Sequence, residues 1–193
     1  MDVVRLQEVV AKATEATTTE QVARILVDEG AGVLGAAMGG LWRLDGDELV
    51  LVHFGGGKPA GRFQRLPLDA NAPLAACVRD RQPIWLADAE EYRRRFPDSH
   101  ARLDAQVGCA CLPLIVAGQP IGGAVFAFEG TRVFTDDEQA SLMLIARQCA
   151  SVLERLRLAA AAQQLAGRMT ALQAIAGRLA RARGLDAIVR IVI

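Results

Sequence analysis

The stretch VGCACLPLIVAGQPIGGAVFAF, residues 107–128, has no charged side chain and decides the fold. It is long enough to cross a bilayer as a helix, since about 20 apolar residues suffice. Its middle, however, reads Ala117-Gly118-Gln119-Pro120, which is typical of a turn. Each half is about eight residues long and rich in Val, Ile, Leu and Phe, as buried strands are. The sequence therefore predicts a buried β-hairpin and no membrane insertion.

Three residues inside this hairpin restrict how it can pair. Pro113 has no N–H to donate to a sheet ladder, which favours a place at an edge or a bulge. Gly122 and Gly123 carry no side chain, which indicates that another backbone or a ligand comes close there.

A second hairpin precedes the first along the chain. The segment MGGLWRLDGDELVLVHFGGG, residues 38–57, contains two strand-like runs joined by Asp45-Gly46-Asp47, a strong hairpin signal. Between the hairpins, RFQRLPL and PIWLAD predict short strands, and NAPLAACVRDR and AEEYRRRFP predict short helices, the first with Asn71 as its candidate cap. We expect a binding site to be built in this intervening region.

Helices are predicted at both ends of the chain. Apolar spacing predicts a helix over residues 3–15, and TTEQ at 18–21 is a capping box that opens another over 20–35. A second capping box, TDDE at 135–138 with Phe134 as hydrophobic staple, opens one long helix. Its apolar stripe shifts phase near Leu156, and the distal part is coiled-coil-like, which predicts a homodimer. The dimer-forming residues would be Leu158, Leu165, Met169 and Leu172.

Composition narrows the class of protein. The chain has 193 residues and is 52% hydrophobic, which suffices for one ordinary domain with additional helix. Its 22 basic and 22 acidic residues balance, so a nucleic-acid partner is not indicated. The N-terminus lacks the pattern of a signal peptide, and four cysteines are too few for a disulfide scaffold. We therefore expect a cytoplasmic protein.

The order of elements and three local stretches resemble a GAF domain, the small-molecule sensor module of signalling proteins. These stretches are APLAACVRDRQPIWLAD, CLPLIVAGQPIGGAVFAF and FTDDEQASLMLIARQCASVLE. The resemblance implies an α+β fold with an antiparallel sheet of five or six strands. A helical bundle would cover one face, short helices over a ligand pocket would cover the other, and a long C-terminal helix would follow. No catalytic signature accompanies the match.

The resemblance places the pocket beneath residues 71–96. Its ligand is unknown, because the residue set of cyclic-nucleotide GAF domains and the Cys-His pair that tethers bilins in phytochromes are both missing. Aromatic residues of the region suit a planar ligand, although buried aromatics more often fill a core, and His53 has the same ambiguity. Cys109 and Cys111, two apart on a strand, face the same side. The candidate pocket residues are Trp42, His53, Trp85, Tyr92, Phe96, Cys109 and Cys111.

Catalytic and metal chemistry are not expected. A zinc site at Cys109 and Cys111 needs two more ligands, and neither His53 nor His100 has a familiar spacing from them. Cys77 and Cys149 lie on apolar helical faces and are interpreted as core. Free methionine sulfoxide reductases are enzymes with a GAF fold, but their cysteine-bearing loop is not recognisable here. GGGK at 55–58 lacks the spacing of a phosphate loop, and EEYRRR at 90–95 is typical of a solvated helix face.

These observations predict a non-catalytic regulatory GAF domain of a bacterial signalling protein, such as a histidine kinase of a two-component system or a cyclic-dinucleotide enzyme. The alternatives are a ligandless dimerisation scaffold and an enzyme similar to free methionine sulfoxide reductase. A small molecule and a second copy of the chain are the expected partners.

The C-terminus predicts the start of a second module. LQAIAGRLARARGLDAIVRIVI, from Leu172, aligns without a gap with LQEVVAKATEATTTEQVARILV, from Leu6, although two amphipathic helices can match this well by chance. The expected organisation is a sensor domain over 1–160, a helical linker over 161–183, and a second GAF-like module that begins at 184–193.

Overall fold

The computed structural model describes residues 3–57, 63–100 and 107–192, and the side chains of 4–5, 7–57, 63–99 and 108–176. Three short helices come first, and a π-helical turn separates the second from the third. They are α1 (Val3–Glu15), α2 (Thr19–Arg24), the π turn (Ile25–Glu29) and α3 (Gly30–Leu34). The strands are β1 (Met38–Asp45), β2 (Glu48–Gly55), β3 (Arg65–Pro67), β4 (Ile84–Leu86), β5 (Val107–Val116) and β6 (Gln119–Glu129). The remaining helices are α4 (Pro73–Asp80), α5 (Ala89–Arg95), α6 (Pro97–His100) and α7 (Asp136–Val192).

The strands form one sheet in the order β3-β2-β1-β6-β5-β4, with every neighbouring pair antiparallel. Both predicted hairpins are confirmed, as β1–β2 and β5–β6. The turn of the second contains Ala117 and Gly118, both with positive φ. Pro113 lies beyond residues 109–111, where β4 pairs with β5, and just before a bulge at Leu114 and Ile115. The α+β fold expected from the sequence is therefore present, with six strands.

One face of the sheet packs against helices from the beginning and the end of the compact unit Met1–Glu154. Its buried side chains include Leu41 from β1, Leu114 from β5 and Phe126 from β6. With Val27 and Leu142 they line a small cavity of about 30 Å³. We call this side the helical face.

The other face carries α4 and α5. A Cβ atom added at Gly123 would lie 2.7 Å from Leu74 Cδ1 and 2.8 Å from Val78 Cγ2, so α4 packs directly on the β6 backbone. One added at Gly122 would overlap the Trp42 carbonyl oxygen. The close approach of another backbone is therefore confirmed at Gly122, whereas side chains of α4 come close at Gly123.

Local signals place the helix starts. Gln21 N–H donates to Thr18 Oγ1 at 3.2 Å, so the N-cap of the first capping box is confirmed, although the Gln21 side chain accepts the Thr17 N–H rather than that of Thr18. Glu138 N–H donates to Thr135 Oγ1 at 3.3 Å and Glu138 Oε2 accepts the Thr135 N–H at 3.2 Å, so the second capping box is confirmed. The helix expected over 20–35 is interrupted by the π turn and ends at Gly35, whose φ is +68°. Asn71 does not cap α4. Ala72 holds the N-cap position, and the Asn71 amide donates to Asp98 Oδ2 instead.

The chain forms two compact units, Met1–Glu154 and Arg155–Ile193. In the second unit, described side chains of the predicted dimer stripe are 53–65% exposed: Leu158, Leu165, Met169 and Leu172. The side chains of 184–193 lie outside the described residues, so the second module stays a prediction. The boundary at 160 stays a prediction as well. Among the described helices, none combines the length and apolarity needed to cross a membrane.

Candidate functional site

A buried group of side chains lies beneath α4 and α5, on the face opposite the helical face. We call it the thiol cluster, because three of its members are cysteines. Cys109 and Cys111 alternate along β5, opposite Leu86 and Ile84 of β4, and Cys77 comes from the sheet-facing side of α4. Its buried members are Ala76, Cys77, Ile84, Leu86, Tyr92, Phe96, Cys109, Cys111 and Ala127. Four of the predicted pocket residues meet here: Tyr92, Phe96, Cys109 and Cys111.

Helix α5 and its C-cap residue supply the two aromatic rings of the cluster, Tyr92 and Phe96. Asp88 caps the helix by accepting the Glu91 N–H at 2.9 Å. Tyr92 and Phe96 are four residues apart, so they share one side of the helix end. Their rings meet edge to face with centroids 6.2 Å apart, and the Tyr92 hydroxyl lies 3.0 Å from Ser99 Oγ. The two rings thus cover the cluster, and the Tyr92 hydroxyl has a hydrogen-bond partner in Ser99.

Two thiols of the cluster, those of Cys77 and Cys111, are held in their neutral form. Burial raises the pKa of the Cys77 thiol to about 12. A hydrogen bond with Cys109, followed by burial, raises the pKa of Cys111 well above its usual range. Burial likewise raises the pKa of the Tyr92 hydroxyl. Because the thiolate is the reactive form of cysteine, these thiols are poor nucleophiles in this structure.

Trp42 lies in a neighbouring cluster on the same face. It packs with Leu49, Leu74 and Val78, and its indole Nε1–H donates to the Phe63 carbonyl at 2.7 Å. Val125 of β6 packs against this group and against the thiol cluster. Trp42 is therefore adjacent to the thiol cluster rather than inside it.

Trp85 and His53 are not brought to the thiol cluster. Trp85 lies between Ile84 and Leu86 on β4, so strand alternation turns it to the helical face, where its ring centroid is 5.2 Å from that of Phe134. His53 pairs with Leu41, a helical-face residue.

His53 has its own partners. Its Nε2 lies 3.0 Å and 3.1 Å from the two carboxylate oxygens of Asp28 in the π turn. It also lines a surface groove of about 530 Å³ along β2.

The prediction that Cys77 is a core residue is confirmed, because its side chain is fully buried on α4. Sequence reasoning did not place it beside Cys109 and Cys111. A signal was available, since α4 belongs to the region expected to cover the pocket. Within the described residues, no group of three or more histidine, cysteine or acidic side chains is arranged to hold a metal ion.

Comparison with known proteins defines the family. A GAF domain sequence profile matches residues 16–154. The chain belongs to the GAF domain family. No curated protein matches the sequence significantly. The short helices α4 and α5 and the thiol cluster thus lie on the face of this GAF domain where the resemblance placed a pocket.

Solved structures similar to this GAF domain come from proteins of different kinds. The GAF domain of a phosphoenolpyruvate-protein phosphotransferase from Acinetobacter aligns over 82% of this chain and 96% of its own, with 15% identity and a TM-score of 0.69. Residues 122–287 of a methyl-accepting chemotaxis protein align over 78% and 97%, with 25% identity and a TM-score of 0.62. A free methionine-R-sulfoxide reductase from Neisseria meningitidis, solved with its substrate, aligns over 80% and 89%, with 20% identity and a TM-score of 0.65.

Proposed function

We propose that this GAF domain is a regulatory sensor of a small molecule, and that the thiol cluster beneath α4 and α5 is where the ligand binds. The observation that carries the proposal is the composition of this face. A short capped helix holds Tyr92 and Phe96 over a sheet that presents Cys109 and Cys111. A planar or apolar ligand of modest size suits such a lining, because aromatic and sulfur-bearing side chains give large polarizable contact areas.

The proposed setting is a cytoplasmic bacterial signalling protein, such as a histidine kinase or a cyclic-dinucleotide enzyme. Similarity to a segment of a methyl-accepting chemotaxis protein supports a role in signalling. Ligand binding would favour one arrangement of α7 over another, and so act on whatever α7 carries. The ligand must differ in affinity for the two arrangements, since equal affinity shifts nothing.

We propose a non-catalytic role, and the thiol chemistry supports it. The pKa of Cys77 and that of Cys111 are both raised, whereas a catalytic cysteine needs a lowered pKa. The similarity to free methionine-R-sulfoxide reductase makes an enzyme the second candidate. Incubation with free methionine sulfoxide and a thiol reductant separates the two. Product formation that is lost in both Cys109→Ala and Cys111→Ala would establish the enzyme instead.

We also propose that the protein is a homodimer through Arg155–Ile193. Leu165, Met169 and Leu172 are more than half exposed in this unit, and heptad-related leucines in water favour association. We expect light scattering at tens of micromolar to give twice the chain mass, and a Leu165→Asp/Leu172→Asp variant to give the chain mass. A monomeric wild type, or a variant that still assembles, would show that these residues do not form the dimer.

The sensing proposal is tested by native mass spectrometry of purified protein, followed by thermal shifts with any retained compound. A ligand present at 100 times its Kd stabilises the native state by about 2.7 kcal/mol through mass action. Phe96→Leu should abolish retention. Phe126→Leu is the matched control, because this ring is equally buried but lies on the helical face. If nothing is retained and no metabolite raises the Tm, the ligandless scaffold is the better description.

A further inference from the structure

We propose that three residues, one on β4 and two between β6 and α7, couple the α5 side of the thiol cluster to the start of α7. The coupling element consists of Trp85, Arg132 and Phe134, which we call the β4–α7 junction. The inference rests on the proposed sensing function, because it names the route by which the thiol cluster would act on α7. It is tested without any ligand, so the two proposals can fail separately.

The junction holds the first turn of α7. Phe134 directly precedes the N-cap Thr135, and its ring lies 5.2 Å from that of Trp85 and 5.5 Å from that of Phe128. The Arg132 guanidinium lies 4.8 Å from the Phe128 ring centroid and 5.8 Å from that of Phe134, within the range of cation–π attraction.

Arg132 also reaches the capping box directly. Its Nη2 donates to Glu138 Oε1 at 3.1 Å, while Glu138 Oε2 accepts the Thr135 N–H at 3.2 Å. One carboxylate therefore joins the junction to Thr135, the N-cap residue of α7. A shift of Arg132 must break the bond to Glu138 or move the capping box with it.

The same junction is bound to α5 through the end of β4. The Ala87 carbonyl accepts the Arg132 N–H at 2.7 Å, and the Ala87 N–H donates to Glu91 Oε2 at 2.9 Å. Arg95 Nη1 donates to the Trp85 carbonyl at 3.3 Å. Two residues of one short segment thus hold α5 on one side and the start of α7 on the other. A ligand that binds under Tyr92 or Phe96 and displaces α5 would therefore also displace this segment and, through it, the start of α7.

The junction is not fully satisfied as a polar site. Among the described residues, Arg132 Nε is buried without a hydrogen-bond partner. A buried donor with no acceptor is unfavourable.

The experiment is hydrogen–deuterium exchange on the whole chain in the absence of ligand. Phe96→Leu loosens the cluster beneath the end of α5. We expect it to lower the protection of the amides of residues 139–146 in α7 by about five-fold, the change that a modest loss of local stability produces. In an Arg132→Met/Phe134→Leu background, the same Phe96→Leu change should add less than about two-fold.

Val78→Ala is the control, because it perturbs the neighbouring cluster under α4 and should leave residues 139–146 unchanged. Urea unfolding of each variant measures its global stability. The exchange that occurs through global unfolding is calculated from that stability and subtracted. If Phe96→Leu acts equally in both backgrounds, or does not alter the start of α7, the junction does not couple these elements. If the double variant does not fold, Arg132→Met alone replaces it, because this variant keeps the rings of Trp85 and Phe134.

Discussion

The two faces of the sheet are similarly buried but chemically different. The helical face is built from hydrocarbon side chains such as Leu41, Leu114 and Phe126, contributed by central strands. The opposite face places two cysteines of one strand beneath short helices of seven and eight residues. Helices of this length are marginal alone and depend on packing. Because the helical face also packs against α1 and the start of α7, we expect it to supply more of the stability, and we expect the face with the thiol cluster to be the easier one to rearrange.

A truncation on each face tests this difference and should give the largest effect. Leu114→Ala removes a side chain that is 2% exposed, and we expect it to cost about 3 kcal/mol of unfolding free energy. Cys111→Ala, at 1% exposure, removes a single sulfur atom and should cost about 1 kcal/mol. Urea unfolding measures both. Equal losses would show that the thiol cluster contributes as much to stability as the helical face.

Much of this two-faced arrangement could be predicted from the sequence, because its signals are local. Asp45-Gly46-Asp47 and Ala117-Gly118 predict the hairpin turns, and residues within one turn of each helix start predict the capping boxes. The alternation that puts Cys109 and Cys111 on one side of β5 needs only the strand period. Both cysteines meet the predicted aromatic residues of α5 as a result.

The faces that Trp85 and His53 occupy could not be predicted, because each depends on how its strand pairs with its neighbour. Trp85 belongs to a three-residue strand, too short for its own pattern to reveal its orientation, and its face is set by pairing with Ala110. His53 follows a bulge, since Leu41 pairs with His53 while Trp42 pairs with Leu51. The extra residue reverses the alternation at that point. Neither feature has a local sequence signal.

A glycine on each face gives the second comparison. We expect Gly123→Ala to cost about 2 kcal/mol, because the new methyl group would meet Leu74 and Val78 closer than 3 Å and push α4 away from β6. Gly39→Ala on the helical face meets Val27 Cγ1 at 3.2 Å and Phe126 at 3.3 Å, so small shifts accommodate it. Its cost should stay below about 1 kcal/mol. Urea midpoints at constant m-value decide between these outcomes.

Alkaline pH should reveal a property that the two faces share. Burial raises the pKa of Cys77 in the thiol cluster and of Cys149 on the helical face, each to about 12 from an ordinary 9.0. The folded state then holds protons that the unfolded state releases, so stability falls as pH rises above 9 and is unaffected by these thiols below it. We expect each thiol to cost about 1.4 kcal/mol at pH 10, of which about 1 kcal/mol is lost between pH 9 and pH 10.

Cysteine variants test which thiols cause this fall of stability with rising pH. Cys77→Ala and Cys149→Ala should each reduce the loss of stability between pH 9 and pH 10, and the double variant should reduce it most. An unchanged slope in the double variant would mean that other groups, such as the Cys111 thiol or the Tyr92 hydroxyl, dominate the alkaline response.

The smallest effect is expected at the edge of the helical face, where His53 joins β2 to the π turn. The His53 and Asp28 side chains are 25% and 45% exposed, so solvent and salt weaken their attraction. His53→Gln keeps a polar side chain able to donate to Asp28, and it should change the unfolding free energy by only a few tenths of a kcal/mol. Asp28→Asn supplies the matched change on the other side of the contact. A loss above about 1 kcal/mol in both variants, with coupling in the double variant, would show that this contact stabilises the π turn. The helical face would then depend on a polar contact at its edge as well as on its hydrocarbon core.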